Sequence, residues 1–129
     1  MIIKIRTTSE IPIYLQLRNE IVKGIGKGEL AEGESLPTVR RLAADLGVNA
    51  MTVSKAYQML KTEGFIETDR RRGTIVCQVE RTVSEMQKEQ VCRRLGEELE
   101  LLSAEAKIRG VGRDEFVGLC DRIFAGMEG

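Results

Sequence analysis

The sequence predicts a mainly α-helical chain with one small β-hairpin, and three observations carry that reading. Apolar residues recur at spacings of three and four in several separate stretches, from Ile13 to Ile25, Leu42 to Leu46, Val53 to Leu60 and Cys92 to Ala106. The period changes after Gly64, where the β-branched strings "FIET" and "TIVCQV" flank the basic string "DRRRG". Proline and glycine sit at the joins, as Pro12, Pro37, Gly47 and Gly64.

Taken in order, "IIKI" (2–5) is a short strand candidate. Pro12 suits the first turn of a helix, with Ser9 or Glu10 just before it, and Ile13, Leu17, Ile21 and Ile25 form its buried stripe. The helix ends in "KGIGKGEL", whose alternate glycines resemble a phosphate-binding loop. That loop would follow a strand, not a helix, and Glu29 stands where its last glycine belongs, so a helix end and turn is the expected structure. Leu36 precedes Pro37 and is therefore extended. Thr38 can cap the next helix, whose inner stripe is Leu42, Ala43 and Leu46. Arg41 stands where a capping box would have Glu or Gln. Gly47 ends this helix, Asn49 caps the following one, and Gly64 closes it. Two short helices joined by "GVN" make a helix-turn-helix, and with the hairpin directly behind it the unit is a winged helix-turn-helix.

The second helix of the pair is the informative one. Val53, Ala56, Tyr57 and Leu60 share its inner face, so Tyr57 is a core residue rather than a stacking platform. Met51, Ser54, Lys55 and Gln58 share its outer face, which is slim, polar and not acidic. A helix with such a face fits the DNA major groove, and an arginine-tipped wing fits the backbone or a neighbouring groove.

Charge agrees with an anionic partner for the first part of the chain. The net charge of zero divides into 12 Lys and Arg against 9 Asp and Glu over residues 1–78, and 8 against 11 over residues 79–129. The basic residues gather at Arg40-Arg41 and Arg70-Arg71-Arg72. Enzyme chemistry is poorly supplied. The chain has no histidine, which excludes Ser-His and Cys-His nucleophile pairs, and it lacks HExxH, Walker A and paired metal-ligand spacings. No catalytic residue, metal site or cofactor is expected. Neither a signal segment nor an apolar run near the ~20 residues of a membrane span occurs. Cys77, Cys92 and Cys120 read as reduced thiols packed as small hydrophobes, and the expected compartment is the cytoplasm.

The run "GELAEGESLPTVRRLAADLGVNAMTVSKAYQMLKTEGFIETDRRRGTIV" resembles the DNA-binding domain of the GntR family of bacterial transcription regulators. The likeness covers about residues 10 to 79, from IPIYLQL through LPTVRRLA, LGVN, TVSKAYQML and EGFIE to RRGTIV. The form of the "NxxTVxxAYxxL" string and the short C-terminal region resemble the YtrA subfamily. The chain departs from it at Asn49-Ala50-Met51, where members often read Asn-Pro-Asn. The resemblance implies double-stranded DNA as partner and a set of contacts. Arg40 matches a family arginine that reaches DNA. Thr38 and Thr52 near helix starts can serve phosphates, though Thr38 is equally well read as a cap alone. Ser54 and Lys55 face outward, Lys55 towards a guanine edge or a phosphate, and Met51 stands at the DNA-facing departure. Arg72-Gly73 matches the wing tip, with Asn49, Arg71 and Thr74 in the same motifs, while Arg70 and Arg71 also read as solvated hairpin charges.

The last fifty residues differ in kind. Cys92, Leu95, Leu99, Leu102 and Ala106 form an apolar seam along one long helix, "RGVGR" breaks it, and Phe116, Cys120, Ile123 and Met127 continue on a second helix. A helical hairpin cannot bury both seams by itself. It packs either on its own winged domain or on a second copy, and dimerisation through Leu95, Leu99, Leu102, Phe116 and Ile123 is the preferred expectation, as the short tails of the resembling subfamily pair between subunits. The expected organisation is therefore a DNA-binding domain over 1–79 and a dimerisation tail over 80–129, acting together as a homodimeric repressor on a palindromic operator. The sequence names no small-molecule effector.

Overall fold

The computed structural model describes residues 3–77 and 84–128. The chain divides into two units, Met1–Val79 and Glu80–Gly129. The boundary expected between 79 and 80 lies outside the described residues, as does the end of the expected "TIVCQV" strand.

The first unit contains α1 (Ile13–Gly26), α2 (Val39–Leu46), α3 (Ala50–Thr62), β1 (Ile66–Asp69) and β2 (Gly73–Val76). It is a winged helix-turn-helix. Pro12 is the N-cap of α1, and no side chain caps that end. Gln16 instead ties the preceding loop, accepting from the Arg6 backbone N–H at 2.7 Å and donating to the carbonyls of Arg6 and Ile11. Leu17 and Ile21 of α1 are fully buried, while Ile13 and Ile25 at its ends are half-buried. They meet Val53, Ala56, Tyr57 and Leu60 of α3, all buried, together with Leu42 and Ala43 of α2 and Ile66 and Val76 of the hairpin. Burying an aliphatic side chain of this size stabilises by roughly 1.5–3 kcal/mol, so this set supplies the drive to fold.

The hairpin pairs Ile66 with Val76 through Asp69 with Gly73, antiparallel. A third segment joins it that the sequence pattern did not reveal. Gly33 N–H donates to Val76 O at 2.9 Å, Val76 N–H to Glu34 O at 2.9 Å and Leu36 N–H to Thr74 O at 2.8 Å, so residues 33–36 lie along the free edge of β2. The expected strand at 2–5 does not form over its described residues, Ile3 to Ile5. Residues 33–36 hold that edge of β2, and Ile3 packs on the core instead.

Tyr57 joins core to loop. It is 3% exposed, and its hydroxyl donates to the Pro37 carbonyl at 2.7 Å. This bond holds the entry of α2 against the middle of α3.

The second unit contains α4 (Glu85–Ile108) and α5 (Arg113–Ala125), joined by a tight turn with Gly110 in the left-handed region at φ 83°. Ser84 and Gln87 form a reciprocal capping box at the start of α4. Neither helix has a buried residue.

Burial pushes the Tyr57 hydroxyl from 10.0 up to about 12. The folded state therefore favours the protonated phenol, and the stability this contributes is complete below pH 10 and lost as pH rises from 10 towards 12. In Tyr57→Phe the Pro37 carbonyl loses its donor, at a cost of about 1–3 kcal/mol at neutral pH. Urea denaturation of parent and variant across that alkaline range checks both effects: the stability gap closes as pH rises.

Candidate nucleic-acid interface

The interface begins at the start of α2. Thr38 is extended, and its hydroxyl accepts the Arg41 backbone N–H at 3.2 Å, which satisfies one of the N–H groups that a helix start leaves unpaired. The side-chain oxygen is thus committed to the cap, while its hydrogen stays free to donate. Arg40 in the first turn is exposed and enters no ion pair among the described residues. Arg41 beside it has only a 3.9 Å contact with Asp45, both side chains being well exposed, which adds little stability.

Gly47 ends α2 at φ 68°, a left-handed conformation that a Cβ would strain, and so turns the chain into α3 within three residues. The Asn49 carboxamide oxygen caps α3 by accepting the Met51 N–H at 2.7 Å, and Asn49 is exposed. With the inner face of α3 buried, helical geometry turns Met51, Ser54, Lys55 and Gln58 to solvent, and all four are exposed. Met51 is 79% exposed, an uncommon position for an apolar side chain, and Thr52 is half-buried beside it. The Lys55 ammonium is the one charge on this face, and its Nζ stands 3.9 Å from the centroid of the Tyr14 ring of α1.

The wing has a different internal logic from a simple basic tip. Asp69 Oδ1 accepts the backbone N–H groups of Arg71 at 2.8 Å and Arg72 at 3.1 Å, organising the turn, and Gly73 closes it at φ 76°. The Arg72 side chain turns back: Nη2 is 3.4 Å from Asp69 Oδ2, and Nη1 donates to Gly33 O at 3.2 Å. Ser35 Oγ donates to the Arg72 carbonyl at 3.3 Å. Arg72 therefore staples the wing to the loop that leads into α2. Arg70 and Arg71 are exposed and enter no ion pair among the described residues, while Arg72 is exposed but paired, so Arg70 and Arg71 are the unpaired cations of the wing. Thr74 is half-buried, with its carbonyl taken by Leu36.

Residues 13–76 match the family described as bacterial regulatory proteins, gntR family. Over 127 residues the chain is 35% identical to the HTH-type transcriptional repressor YtrA of Bacillus subtilis, covering 98% of this chain and 95% of that protein. The chain belongs to the GntR family. It is also 41% identical over 75 residues to the HTH-type transcriptional regulator Rv1152 of Mycobacterium tuberculosis, covering 58% of this chain and 62% of that relative, less than two thirds of its length. A crystal structure of a transcriptional antiterminator from Listeria monocytogenes EGD-e superposes with a TM-score of 0.82 at 32% identity, covering 100% of this chain and 95% of that one. This GntR-family protein is accordingly a DNA-binding transcription regulator and not an enzyme. Among the described residues no His, Cys, Asp or Glu group is arranged to hold a metal, and no helix is long and apolar enough to cross a membrane.

Within the GntR-type head, Arg40, Met51, Thr52, Ser54 and Lys55 lie on the two helices of the helix-turn-helix, Thr38 and Asn49 cap their starts, and Arg71, Arg72, Gly73 and Thr74 lie on the wing. Sequence reasoning missed Asp69, Ser35 and Tyr14. Asp69 had a local signal, since an aspartate opening a turn commonly accepts N–H groups two and three residues on. Ser35 and Tyr14 had none, because their partners are remote in the chain.

In the C-terminal unit Leu99, Ser103, Ala106, Val111, Phe116 and Cys120 line an open groove of about 740 Å³ between α4 and α5. Leu95, Leu99 and Leu102 are each nearly half-exposed, and Ile123 lies outside the groove at 58% exposure. Cys77 and Cys120 are half-buried; Cys92, expected to be packed, is exposed on α4, because α4 has little to pack against within this unit.

The two backbone N–H groups on Asp69 hold its carboxyl below the ordinary value of 3.8. The order it brings to the wing is therefore complete above that value and lost as pH falls through the lower folded one. Amide chemical shifts of Arg71 and Arg72 should titrate with a midpoint below 3.8, whereas Asp69→Ala should show the displaced shifts at every pH.

Proposed function

We propose that this GntR-family regulator is a repressor that binds a palindromic operator as a homodimer, one α3 entering the major groove of each half-site. The observation that carries the reading is α3 itself: its inner face is wholly committed to the core, while Met51, Ser54, Lys55 and Gln58 face outward with no acidic side chain among them. Roles follow from chemistry. Arg40, Thr38, Thr52 and the NH2 of the exposed Asn49 serve phosphates and set the register of the helix. Ser54 and Lys55 read base edges, Lys55 donating to guanine O6 or N7. Met51 cannot donate a hydrogen bond, and its flexible thioether packs on a thymine methyl. On the wing, Arg70 and Arg71 serve the backbone beside the Gly73 turn, with Thr74 behind them, while Arg72 holds the wing in place.

The tail supports the dimer. A groove of about 740 Å³ with an apolar lining, flanked by a half-exposed leucine seam, is a surface that one two-helix hairpin leaves uncovered. A second copy supplies the matching seam, and a two-fold dimer supplies two heads for two half-sites. The relative named a repressor, matched along nearly its whole length, favours repression by occlusion of the promoter. Such a protein works in the cytoplasm with its DNA.

Selection from a random duplex pool tests the reading directly. It should return an inverted repeat with half-site centres about one helical turn or a multiple apart. Arg40→Ala should weaken binding to selected and random duplexes alike, and flatten the log K versus log salt slope by about 0.9. A pool with no enriched symmetric site would refute the operator assignment.

Leu99→Asp should convert the protein to a folded monomer with much weaker operator binding. The substitution puts a charge in the groove, and Leu99 is not one of the residues of the winged core. Sedimentation velocity and circular dichroism together decide: a variant that stays fully dimeric moves the interface elsewhere.

A further inference from the structure

We infer that Tyr14 is a positioning residue for DNA reading, holding the Lys55 ammonium at a set place on the outer face of α3; this rests on the proposed role of that face. The Lys55 Nζ lies 3.9 Å from the Tyr14 ring centroid, well inside the ~6 Å over which a ring face attracts a cation. The ring is no loose partner. Tyr14 sits in the first turn of α1, is half-buried, and packs against the same core that buries Leu17 and Ile21. Further along α1, Arg18 forms an ion pair with Glu63 at the far end of α3 and stands 5.6 Å over the Phe65 ring. Two ties therefore run from α1 to α3, and the first grips the single cation on the reading face.

The physical consequence concerns entropy and direction. A free lysine samples many rotamers, and ordering a side chain of this length on binding is costly. A lysine already resting on an aromatic face has lost much of that freedom before DNA arrives, so more of its interaction energy reaches the complex. It also offers its charge from one place, so the contact favours one base or phosphate over its neighbours. Tyr14 touches no nucleotide in this scheme; it acts through Lys55.

The test uses the full-length protein and the duplex it selects from a random pool, with a random-sequence duplex as reference. Tyr14→Leu removes the ring face and should lower affinity for the selected duplex about two- to ten-fold, the range expected when one long side chain must be ordered on binding. Tyr14→Phe keeps the ring and should bind as the parent does. In a Lys55→Met background, Tyr14→Leu should bring no further loss. In the free protein, carbon-13 relaxation at Lys55 Cε should report a more mobile side chain in Tyr14→Leu and an unchanged one in Tyr14→Phe.

Any one of the following results would overturn the inference. The first is an equal loss from Tyr14→Leu with and without Lys55, which would make Tyr14 a packing residue only. The second is a tighter complex in Tyr14→Leu, which would mean that the ring withholds the lysine. The third is parental affinity in Lys55→Met, which would remove Lys55 from the contacts while a selected symmetric site still upheld the regulator reading. If selection returns no site, the operator reading fails separately, and Lys55 relaxation still decides whether the ring holds the ammonium: equal mobility in parent and Tyr14→Leu overturns the inference.

Discussion

The hydrogen bond from the Tyr57 hydroxyl to the Pro37 carbonyl is the constraint on which the arrangement of the DNA-binding unit turns. Tyr57 belongs to the buried stripe of α3, so its ring is held by the core, and its polar end reaches the residue just before the cap of α2. A buried hydroxyl needs a partner, and here the partner is the Pro37 carbonyl. The start of α2 is thereby tied to α3 by a core residue as well as by the three-residue turn. From Pro37 the linkage continues backwards along the chain. Residues 33–36 pair with β2, and Gly33 and Ser35 take hold of Arg72, so the wing, the loop and both helices are joined through short polar contacts.

This linkage explains an apparent excess of arginine at the hairpin. Three consecutive arginines look like three phosphate ligands, yet their surroundings divide them. Asp69 and Gly33 engage Arg72, whose side chain is thereby ordered before any partner arrives. Arg70 and Arg71 remain exposed. An exposed pair such as Arg72 with Asp69 contributes little to stability alone. Its value lies in geometry, since the same carboxylate accepts both turn N–H groups and aims the guanidinium at the neighbouring loop. Capping follows a similar economy in the helices, where the side-chain oxygens of Thr38 and Asn49 accept a helix N–H while both residues stay exposed.

The C-terminal unit obeys the opposite physics. Its helices are well capped and turned, with a reciprocal box at Ser84 and Gln87 and a left-handed glycine between them, so local signals suffice to form them. Yet two helices have too little mutual surface to bury their own seams, and Leu95, Leu99 and Leu102 stay about half-exposed. In the winged unit three helices and a hairpin converge on one centre, and Leu17, Ile21, Val53 and Leu60 lose all contact with water.

By itself the sequence determined the local features. Thr38, Gly47 and Asn49 announced the ends of α2 and α3, the spacing of Val53, Ala56, Tyr57 and Leu60 announced which face is buried, and the β-branched strings around "DRRRG" announced the hairpin. These signals are legible because capping, helical period and turn chemistry act between residues at most a few positions apart. Tertiary structure alone decided the rest. It set residues 33–36 along β2 and left Ile3 to Ile5 without a strand, gave Tyr57 its carbonyl, turned the Arg72 guanidinium back onto Gly33 and laid Lys55 on Tyr14. Each of these joins groups distant in the chain, and a side chain's composition says what it can bond but not which remote partner folding will bring within reach.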